Sequence, residues 1–200
     1  MAAVKNAIRN RLDADKLALG IILRQARTVD IAPAMQASGF DWLFLDLEHN
    51  SMDLDMAVQS SVAGGLPHLG YAKASLAETC QAINAATFVI VMLETPTAIA
   101  NAEAIAAVPG IDSLLIGTND LAMELGIPGA FGDERIIAAY QTVVDACRKH
   151  GKHAGVGGIA DRELLRRYIQ MGVRLVLPGS DMSLLTAAAS ETAATMRSFL

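Results

Sequence analysis

Two carboxylates occur where each follows an apolar segment typical of a β-strand. Glu94 closes the segment FVIVMLE, and Asp120 follows the predicted strand SLLI at 113–116. In a parallel sheet the carboxyl ends of strands share one edge, and consecutive strands are often neighbours about 4.8 Å apart. Two carboxylates that close repel each other unless a proton or a cation lies between them. The pair therefore predicts a site for a hard divalent cation, with positions left for water and a chelating substrate.

Each carboxylate also has a structural interpretation when it is taken alone. Glu94 precedes Thr95 and Pro96, which begin a predicted helix, and a carboxylate is favoured near a helix N-terminus. Asp120 could cap its own short helix together with Asn119. The common position of the two carboxylates, each after one of two consecutive strands, favours the metal site over two unrelated caps.

A third strand end carries charge within the segment FDWLFLDLEHNS, residues 40–51, where an apolar strand changes within four residues into Asp46, Glu48 and His49. Charge at the end of a buried strand costs free energy unless it is paired, solvated or bound to metal. His49 could be a third metal ligand, a general base, or a core histidine bonded to Asp46. As a base it would gain from Asp46, which can fix the imidazole tautomer and raise its basicity.

Strands and helices alternate along the whole chain, and the strands are apolar on both faces, which is typical of a parallel sheet covered by helices. Six strands are too few for a closed barrel of this type, which has about eight. Either the sheet is open or about two βα units are absent in the long interval from 42 to 88. The predicted strands are 17–23, 42–47, 88–93, 113–116, 153–156 and 173–177, and the predicted helices are 3–13, 28–38, 53–62, 75–86, 96–107, 119–125, 133–150, 162–170 and 183–199.

Two glycine-containing loops, 155–158 and 178–180, follow the last two strands. In barrels such loops often hold phosphate, but glycine also serves tight turns, and we prefer the turn interpretation here.

Composition indicates one globular domain over residues 1–200 and excludes several function classes. Apolar residues make up 52% of the chain, and the mean hydropathy is +0.36. A net charge of −5 argues against binding to nucleic acid or an anionic membrane. No apolar run reaches about 18 residues, and the first residues lack the apolar core of a secretory signal. Cys80 and Cys147 are isolated, so we expect reduced thiols in a cytoplasmic protein.

Four segments together resemble the HpcH/HpaI aldolases, the metal-dependent class II pyruvate aldolases that include 2-keto-3-deoxy-glucarate aldolase. The interval between Glu94 and Asp120 agrees with the spacing in that family, and the resemblance extends over the chain except near residues 63–68. The matching segments are GFDWLFLDLEH (39–49), VMLETPTAIAN (91–101), VPGIDSLLIGTNDLAMELG (108–126) and the tail from Gly151 through LVLPGSDMSLL (175–185).

The resemblance implies an α/β fold of the (β/α)₈ TIM-barrel type. It implies that Glu94 and Asp120 hold a divalent metal, Mg²⁺, Mn²⁺ or Co²⁺. The metal would chelate the carboxylate and keto oxygen of pyruvate or another 2-keto acid and stabilise its enolate as a Lewis acid. The reaction implied is cleavage of a 4-hydroxy-2-keto acid, of the 2-keto-3-deoxy sugar acid type, to pyruvate and an aldehyde, or the reverse.

The resemblance also assigns the remaining site residues. Backbone N–H groups of Asn119 and Asp120 would hold the substrate carboxylate, with Thr118 beside them in the substrate site. His49 and Asp46 would manage proton transfer as the catalytic pair. Relatives are homo-oligomers, often hexamers, so the same is expected here.

Two departures from the family stand out. The family usually has Gln two residues before the metal-binding Glu, and this chain has Met92. Relatives also carry a third strand, which ends in an arginine that polarises the keto oxygen, and a fourth strand after it. Neither strand is present here, although Arg24 and Arg27 could reach the mouth of the barrel. We therefore expect a barrel lacking about two βα units, with a break in space near residues 63–68.

Two alternatives to the aldolase follow from the same observations. One is a CoA-ester lyase of the citrate-lyase type, which would need a basic groove for the CoA phosphates that the net charge does not suggest. The other is a truncated, non-catalytic barrel that acts as a binding or assembly subunit, which the absent arginine favours.

Overall fold

The computed structural model describes residues 6–26, 28, 30–48 and 76–199 of the chain. Within these residues strands and helices alternate, as the sequence predicts. The strands are β1 (Ala18–Leu23), β2 (Trp42–Leu45), β3 (Ile90–Leu93), β4 (Ser113–Gly117), β5 (His153–Gly157) and β6 (Leu175–Leu177). The helices are α1 (Ala7–Asp13), α2 (Ile31–Ala37), α3 (Leu76–Ala86), α4 (Pro96–Ala100), α5 (Ala102–Ala106), α6 (Thr118–Glu124), α7 (Glu134–Lys149), α8 (Arg162–Met171) and α9 (Asp181–Arg197).

The strands form one sheet in the order β2-β1-β6-β5-β4-β3, and every pairing is parallel. Among the described strands, this is the order of a ring opened between β2 and β3. Consecutive strands of a closed βα barrel are neighbours, and the last strand pairs with the first. The opening therefore falls where the sequence predicts that two βα units are absent.

The sheet curls around an apolar interior. Trp42 and Phe44 of β2 and Ile90 of β3 come from opposite edges of the sheet, yet all three pack on one cluster with Leu115 and Leu12. Leu12 belongs to α1, so this helix covers the amino-terminal end of the interior. The described residues thus form a curled half-barrel of six parallel strands, not the complete eight-stranded barrel that the resemblance implies.

A larger apolar layer lies between the outer face of the sheet and the helices. Leu93, Leu114 and Ile116 from the strands are buried there against α4 to α8. Tyr140 of α7 and Tyr168 of α8 stack in this layer with ring centroids 3.8 Å apart. Because consecutive strand residues point to opposite faces, the sheet divides its apolar side chains between the interior and this outer layer.

The structure corrects one predicted helix and confirms the predicted state of the cysteines. The helix predicted over 96–107 is two short helices, since the chain breaks at Asn101 between α4 and α5. Cys80 and Cys147 are free thiols, as predicted. Every helix in the described part of the chain is too short or too polar to cross a lipid bilayer. The helix predicted at 53–62 and the break expected at 63–68 lie outside the described residues.

Asp112 joins the starts of three strands to α1. Its carboxylate accepts hydrogen bonds from Arg9 Nη1 (2.7 Å) and the Val89 N–H (2.8 Å), and its carbonyl accepts one from the His153 N–H (3.1 Å). Arg9 also donates to the Thr87 carbonyl and lies over the Phe88 ring. Burial tends to raise the pKa of Asp112, but the hydrogen bonds from Arg9 and Val89 outweigh it and hold that pKa below its usual value.

Asp112→Asn will lower the free energy of unfolding by about 1 kcal/mol at pH 7, because the charge paired with Arg9 is lost. The folded pKa lies below the unfolded value of about 3.9, so this contribution is fully present above pH 4. It disappears as the pH falls through the folded pKa, and the gap between the two proteins should narrow there. Urea unfolding at pH 7 and at pH 3 measures both values.

The matched control is Asp145→Asn, which removes the exposed ion pair with Arg148 and should cost less than about 0.5 kcal/mol. A difference between Asp112→Asn and the parent protein that stays constant between pH 7 and pH 3 would contradict this account.

Candidate functional site

A pocket opens at the carboxyl ends of the strands, the edge at which the sequence predicts the site. Side chains two residues apart on a strand share a face, so each strand sends an apolar residue into the interior and a second residue to the rim above it. Arg24, Asp46 and Glu94 occupy three of these rim positions, each just after its strand. The described residues that line the pocket are Ile22, Arg24, Phe44, Asp46, Glu48, Met92, Glu94, Leu115, Gly117, Thr118, Asn119, Asp120, Gly157, Gly158 and Leu177.

Glu94 lies across the end of β4 at Gly117. A Cβ atom placed on Gly117 would be 2.5 Å from Glu94 Oε1 and 2.7 Å from its Cγ, closer than real contacts allow. The register explains this approach, since Leu93 pairs with Ile116 and the next residues, Glu94 and Gly117, are level. Glycine at the rim of β4 is therefore what leaves room for the Glu94 side chain at this position.

Asp120 lies in the first turn of α6 and is exposed at the pocket. The first N–H groups of any helix have no partner within the helix, so the start of α6 presents donors beside this carboxylate. The predicted partners Glu94 and Asp120 thus follow adjacent strands and line one pocket.

The side chains of Thr118 and Asn119 have protein partners. The buried Thr118 hydroxyl donates to the Gly157 carbonyl (2.8 Å) and accepts from the Tyr140 hydroxyl (2.7 Å). Burial raises the pKa of Tyr140 far above its usual value, so this phenol remains a donor. Asn119 Nδ2 donates to the Gly158 carbonyl at 3.1 Å. The bonds to the Gly157 and Gly158 carbonyls tie the start of α6 to the end of β5.

Gly158 has a φ of +83°, and a Cβ there would lie 2.5 Å from Asn119 Nδ2. A left-handed backbone and the close approach of another side chain both favour glycine at this position. β5 runs through Gly157, so of the predicted loop 155–158 only Gly158 lies beyond the strand, and its geometry agrees with the turn interpretation.

Asp46 lies on the far side of the pocket and is only 6% exposed. Its Oδ2 accepts a hydrogen bond from Arg24 Nε at 3.2 Å, and its Oδ1 accepts one from the Glu48 N–H at 3.1 Å. Arg24 thus reaches the mouth of the barrel, as the sequence suggested. His49, the predicted partner of Asp46, lies outside the described residues, as does Arg27.

Asp181, the first residue of α9, holds the loop that carries Arg24. Its carboxylate accepts hydrogen bonds from the N–H groups of Arg24 (3.0 Å), Gln25 (2.9 Å) and Ala26 (2.7 Å). Burial tends to raise the pKa of Asp181, but the bonds from Ala26, Gln25 and Arg24 outweigh it, and the pKa lies below its usual value. No local pattern in the sequence links residue 181 to residue 24, so this role could not be predicted from it.

The pocket has the donors that a divalent cation prefers. Four carboxylates line it, those of Asp46, Glu48, Glu94 and Asp120, and Arg24 is the one basic side chain among its described lining residues. Excess negative charge on hard oxygen donors fits Mg²⁺ or Mn²⁺. No group of three or more His, Cys, Asp or Glu side chains is placed to hold a metal within residues 6–26, 28, 30–48 and 76–199. Among the described residues, Glu94 and Asp120 would supply two carboxylates to such a site.

The comparisons with known proteins agree with the resemblance seen in the sequence. Residues 72–188 match the sequence model of a family described as HpcH/HpaI aldolase/citrate lyase. A 4-hydroxy-4-methyl-2-oxoglutarate aldolase of Hapsidospora irregularis is 27% identical, with 99% of this chain and 97% of the relative covered. A relative of the same name from Chaetomium globosum is 36% identical over 72% of this chain, and the match spans only 58% of that protein.

A crystal structure of an HpcH/HpaI aldolase from Desulfitobacterium hafniense superposes with a TM-score of 0.85, covering 96% of this chain and 97% of that one at 19% identity. This likeness shows the fold. The alignment with the Hapsidospora protein runs over 264 positions, more than the 200 residues of this chain, so the relative contains sequence that this chain lacks. That difference agrees with the prediction that βα units are absent.

Gly117→Ala will weaken Mn²⁺ binding about tenfold or more, because the new methyl group must displace the Glu94 carboxylate. The fold should survive, since the methyl meets the end of a flexible side chain. Titration calorimetry with Mn²⁺ gives the affinity, and thermal unfolding followed by circular dichroism reports on the fold. In the control Gly132→Ala, the Cβ would make an ordinary 3.6 Å contact with Leu164, so both measurements should stay at the parent values. Unchanged Mn²⁺ affinity in Gly117→Ala would show that Glu94 is not a ligand.

Proposed function

The chain belongs to the HpcH/HpaI aldolase/citrate lyase family, whose curated members similar to it are aldolases, that is, carbon–carbon lyases. On that premise we propose that this protein is a metal-dependent aldolase that cleaves a 4-hydroxy-2-keto acid to pyruvate and an aldehyde. The observation that carries the proposal is the position of Glu94 and Asp120, which follow adjacent parallel strands and line one pocket. The relatives named for 4-hydroxy-4-methyl-2-oxoglutarate support a substrate of this class.

In this proposal Glu94 and Asp120 hold Mg²⁺, Mn²⁺ or Co²⁺. The bound ion would supply a Lewis acid at the keto oxygen of the substrate. The N–H groups of Asn119 and Asp120 bind the adjacent carboxylate. The Thr118 hydroxyl is already engaged by Tyr140 and Gly157, so its role is to fix the start of α6, and only its backbone remains for the substrate.

Cleavage breaks the bond between C3 and C4 of the substrate. A base must take the proton of the 4-hydroxyl group, and an acid must later return a proton to C3. We assign this transfer to His49 with Asp46. Asp46 is almost fully buried and paired with Arg24, which fixes its position and suits a residue that orients an imidazole.

The alternatives receive less support. A CoA-ester lyase needs several cations for the CoA phosphates, whereas Arg24 is the only basic residue among the described lining of the pocket. A non-catalytic barrel would have no need for acidic side chains at three strand ends around one pocket. We place the protein in the cytoplasm, with small-molecule 2-keto acids and aldehydes as its partners and no binding to nucleic acid or membranes.

Pyruvate release from a 4-hydroxy-2-keto acid, followed with lactate dehydrogenase, tests the function. We expect cleavage that EDTA abolishes and that Mg²⁺ or Mn²⁺ restores. Glu94→Gln and Asp120→Asn should each lower kcat/KM by roughly 100-fold or more, since several kcal/mol of transition-state stabilisation depend on the ion. The control Glu124→Gln removes an exposed acid from the same helix α6, outside the pocket, and should keep the parent rate.

The same assay should be run on a chain with two βα units inserted near residues 63–68. Activity only after insertion would show that the pocket needs the absent units. Activity in neither protein would favour the non-catalytic barrel, and cleavage that is insensitive to EDTA and to Glu94→Gln would contradict the assigned metal ligands.

We also propose that the protein forms homo-oligomers, and that a hexamer is one such form. All 17 residues of α9 are described and none is buried, although Leu184, Leu185 and Met196 are 46%, 62% and 54% exposed. A long helix with an exposed apolar surface gains free energy when a second copy covers it.

Leu185→Glu should therefore shift the protein toward monomers in size-exclusion chromatography with light scattering, because a charge would have to be buried in the contact. Ser190→Glu adds the same charge about 140° further round the helix and is the control. A parent protein that is monomeric at all concentrations, or a Leu185→Glu variant with the parent mass, would refute the contact.

A further inference from the structure

A chain of hydrogen bonds runs behind the pocket, from α7 to the end of β5. The Tyr140 hydroxyl lies 2.7 Å from Thr118 Oγ1, and Thr118 Oγ1 donates to the Gly157 carbonyl at 2.8 Å. A hydroxyl group has a single proton, so Thr118 accepts from Tyr140 while it donates to Gly157. Both side chains are fully buried. The Tyr140 hydroxyl thus fixes the direction in which the Thr118 hydroxyl points.

The Tyr140 ring is itself held in place. It stacks on Tyr168 of α8, with ring centroids 3.8 Å apart and ring planes at 24° to each other. The Tyr168 hydroxyl donates to the Phe131 carbonyl at 2.8 Å, in the segment that joins α6 to α7. Both rings are buried in the apolar layer between the sheet and the helices. A closely packed ring cannot shift without disturbing its neighbours, so the Tyr140 hydroxyl has a fixed position relative to Thr118.

The helix α6 depends on such contacts for its own position. It has only seven residues, and a helix of fewer than about 12 residues is marginal in isolation. Leu121 and Ala122 bury one side of it. Its first turn is bonded to the end of β5 through Thr118 and Asn119. Asp120 belongs to that turn, so the bonds that hold Thr118 also decide where the Asp120 carboxylate lies.

We propose that Tyr140 is a positioning residue for the divalent metal, because through Thr118 it holds the first turn of α6 and with it the Asp120 carboxylate. This inference rests on the proposed function for the identity of the metal ligands. Replacing a group that orients a metal ligand changes the metal affinity by about 10- to 100-fold. Tyr140 is fully buried and acts through Thr118, so its hydroxyl sets how tightly the ion binds and takes no part in bond cleavage.

Tyr140→Phe tests this role, since it removes the hydroxyl and keeps the ring that stacks on Tyr168. Titration calorimetry measures the Mn²⁺ affinity, at a temperature well below the unfolding midpoint of every variant. We expect the affinity to fall about tenfold, the lower end of the range for groups that orient a metal ligand, because Tyr140 acts through one intervening side chain.

The competing explanation is that the Tyr140 hydroxyl only stabilises the packing of α7. The matched control is Tyr168→Phe, which removes the other hydroxyl of the same stack, where it is bonded to the Phe131 carbonyl. Each variant loses one buried hydrogen bond, so both should lower the midpoint of thermal unfolding to a similar extent. Tyr168→Phe should keep the parent Mn²⁺ affinity, which a purely structural role of Tyr140 would also predict for Tyr140→Phe.

A double-mutant cycle tests the path through Thr118. Thr118→Val replaces the hydroxyl with a methyl group of similar size and should itself weaken Mn²⁺ binding. In that background Tyr140→Phe should cause no further loss of affinity, because the two side chains act through one hydrogen bond. Thr118→Ser keeps the hydroxyl, so its Mn²⁺ affinity should stay close to the parent value and should still fall when Tyr140→Phe is added.

The possible results separate this inference from the proposed function. Parent Mn²⁺ affinity in Tyr140→Phe, an equal loss in Tyr168→Phe, or additive losses in the double variant would each overturn the role of Tyr140 and leave Glu94 and Asp120 as ligands. A coupled loss of affinity in a protein that cleaves no 4-hydroxy-2-keto acid supports the role of Tyr140 and contradicts the aldolase. A parent protein that binds no Mn²⁺ overturns both.

Discussion

The parallel pairing of β3 with β4 is the constraint on which the rest of the site depends. The register matches Leu93 with Ile116, so Glu94 and Gly117 are level at the next position. The two-residue period of a strand then directs Glu94 to the interior face, while Leu93 is buried in the outer layer. A shift of one residue in this register would send the carboxylate into the apolar layer between sheet and helices, where an ionised group cannot remain unpaired.

Charge is distributed around the pocket in a way that apolar packing alone would not produce. The interior beneath the rim is apolar, with Leu115, Leu177 and Phe44 in one cluster. Above it, carboxylates follow β2, β3 and β4, and mutual repulsion must be offset for them to stay ionised. On the β2 side the Arg24 guanidinium offsets the negative charge of Asp46. On the β3 and β4 side the divalent ion that we propose between Glu94 and Asp120 would offset their repulsion.

The sequence predicted the scaffold well because strand and helix periodicity are local signals. Six parallel strands, their neighbours, and the position of Glu94 and Asp120 at one edge all follow from apolar runs and from the rule that parallel strands end together. The sequence did not reveal why Gly117 must be small, since that depends on register. It did not reveal that the Thr118 hydroxyl faces Tyr140, or that Asp181 holds the Arg24 loop, since these partners are distant in the chain. The break at Asn101 was missed because both halves of the segment favour helix.

The opening in the sheet bears most directly on Glu94. Among the described strands β3 pairs only with β4, and β2 pairs only with β1, so each forms an edge beside the opening. Among the described strands the Glu94 backbone is therefore held by one strand pairing, and Gly117 and α6 follow on that same neighbour. β4 is itself fixed through β5, since Thr118, Tyr140 and Gly157 join α6, α7 and the end of β5 in one buried network. Within the described part of the chain, the contacts that position β4 beside Glu94 thus come from the β4–β5 side of the pocket.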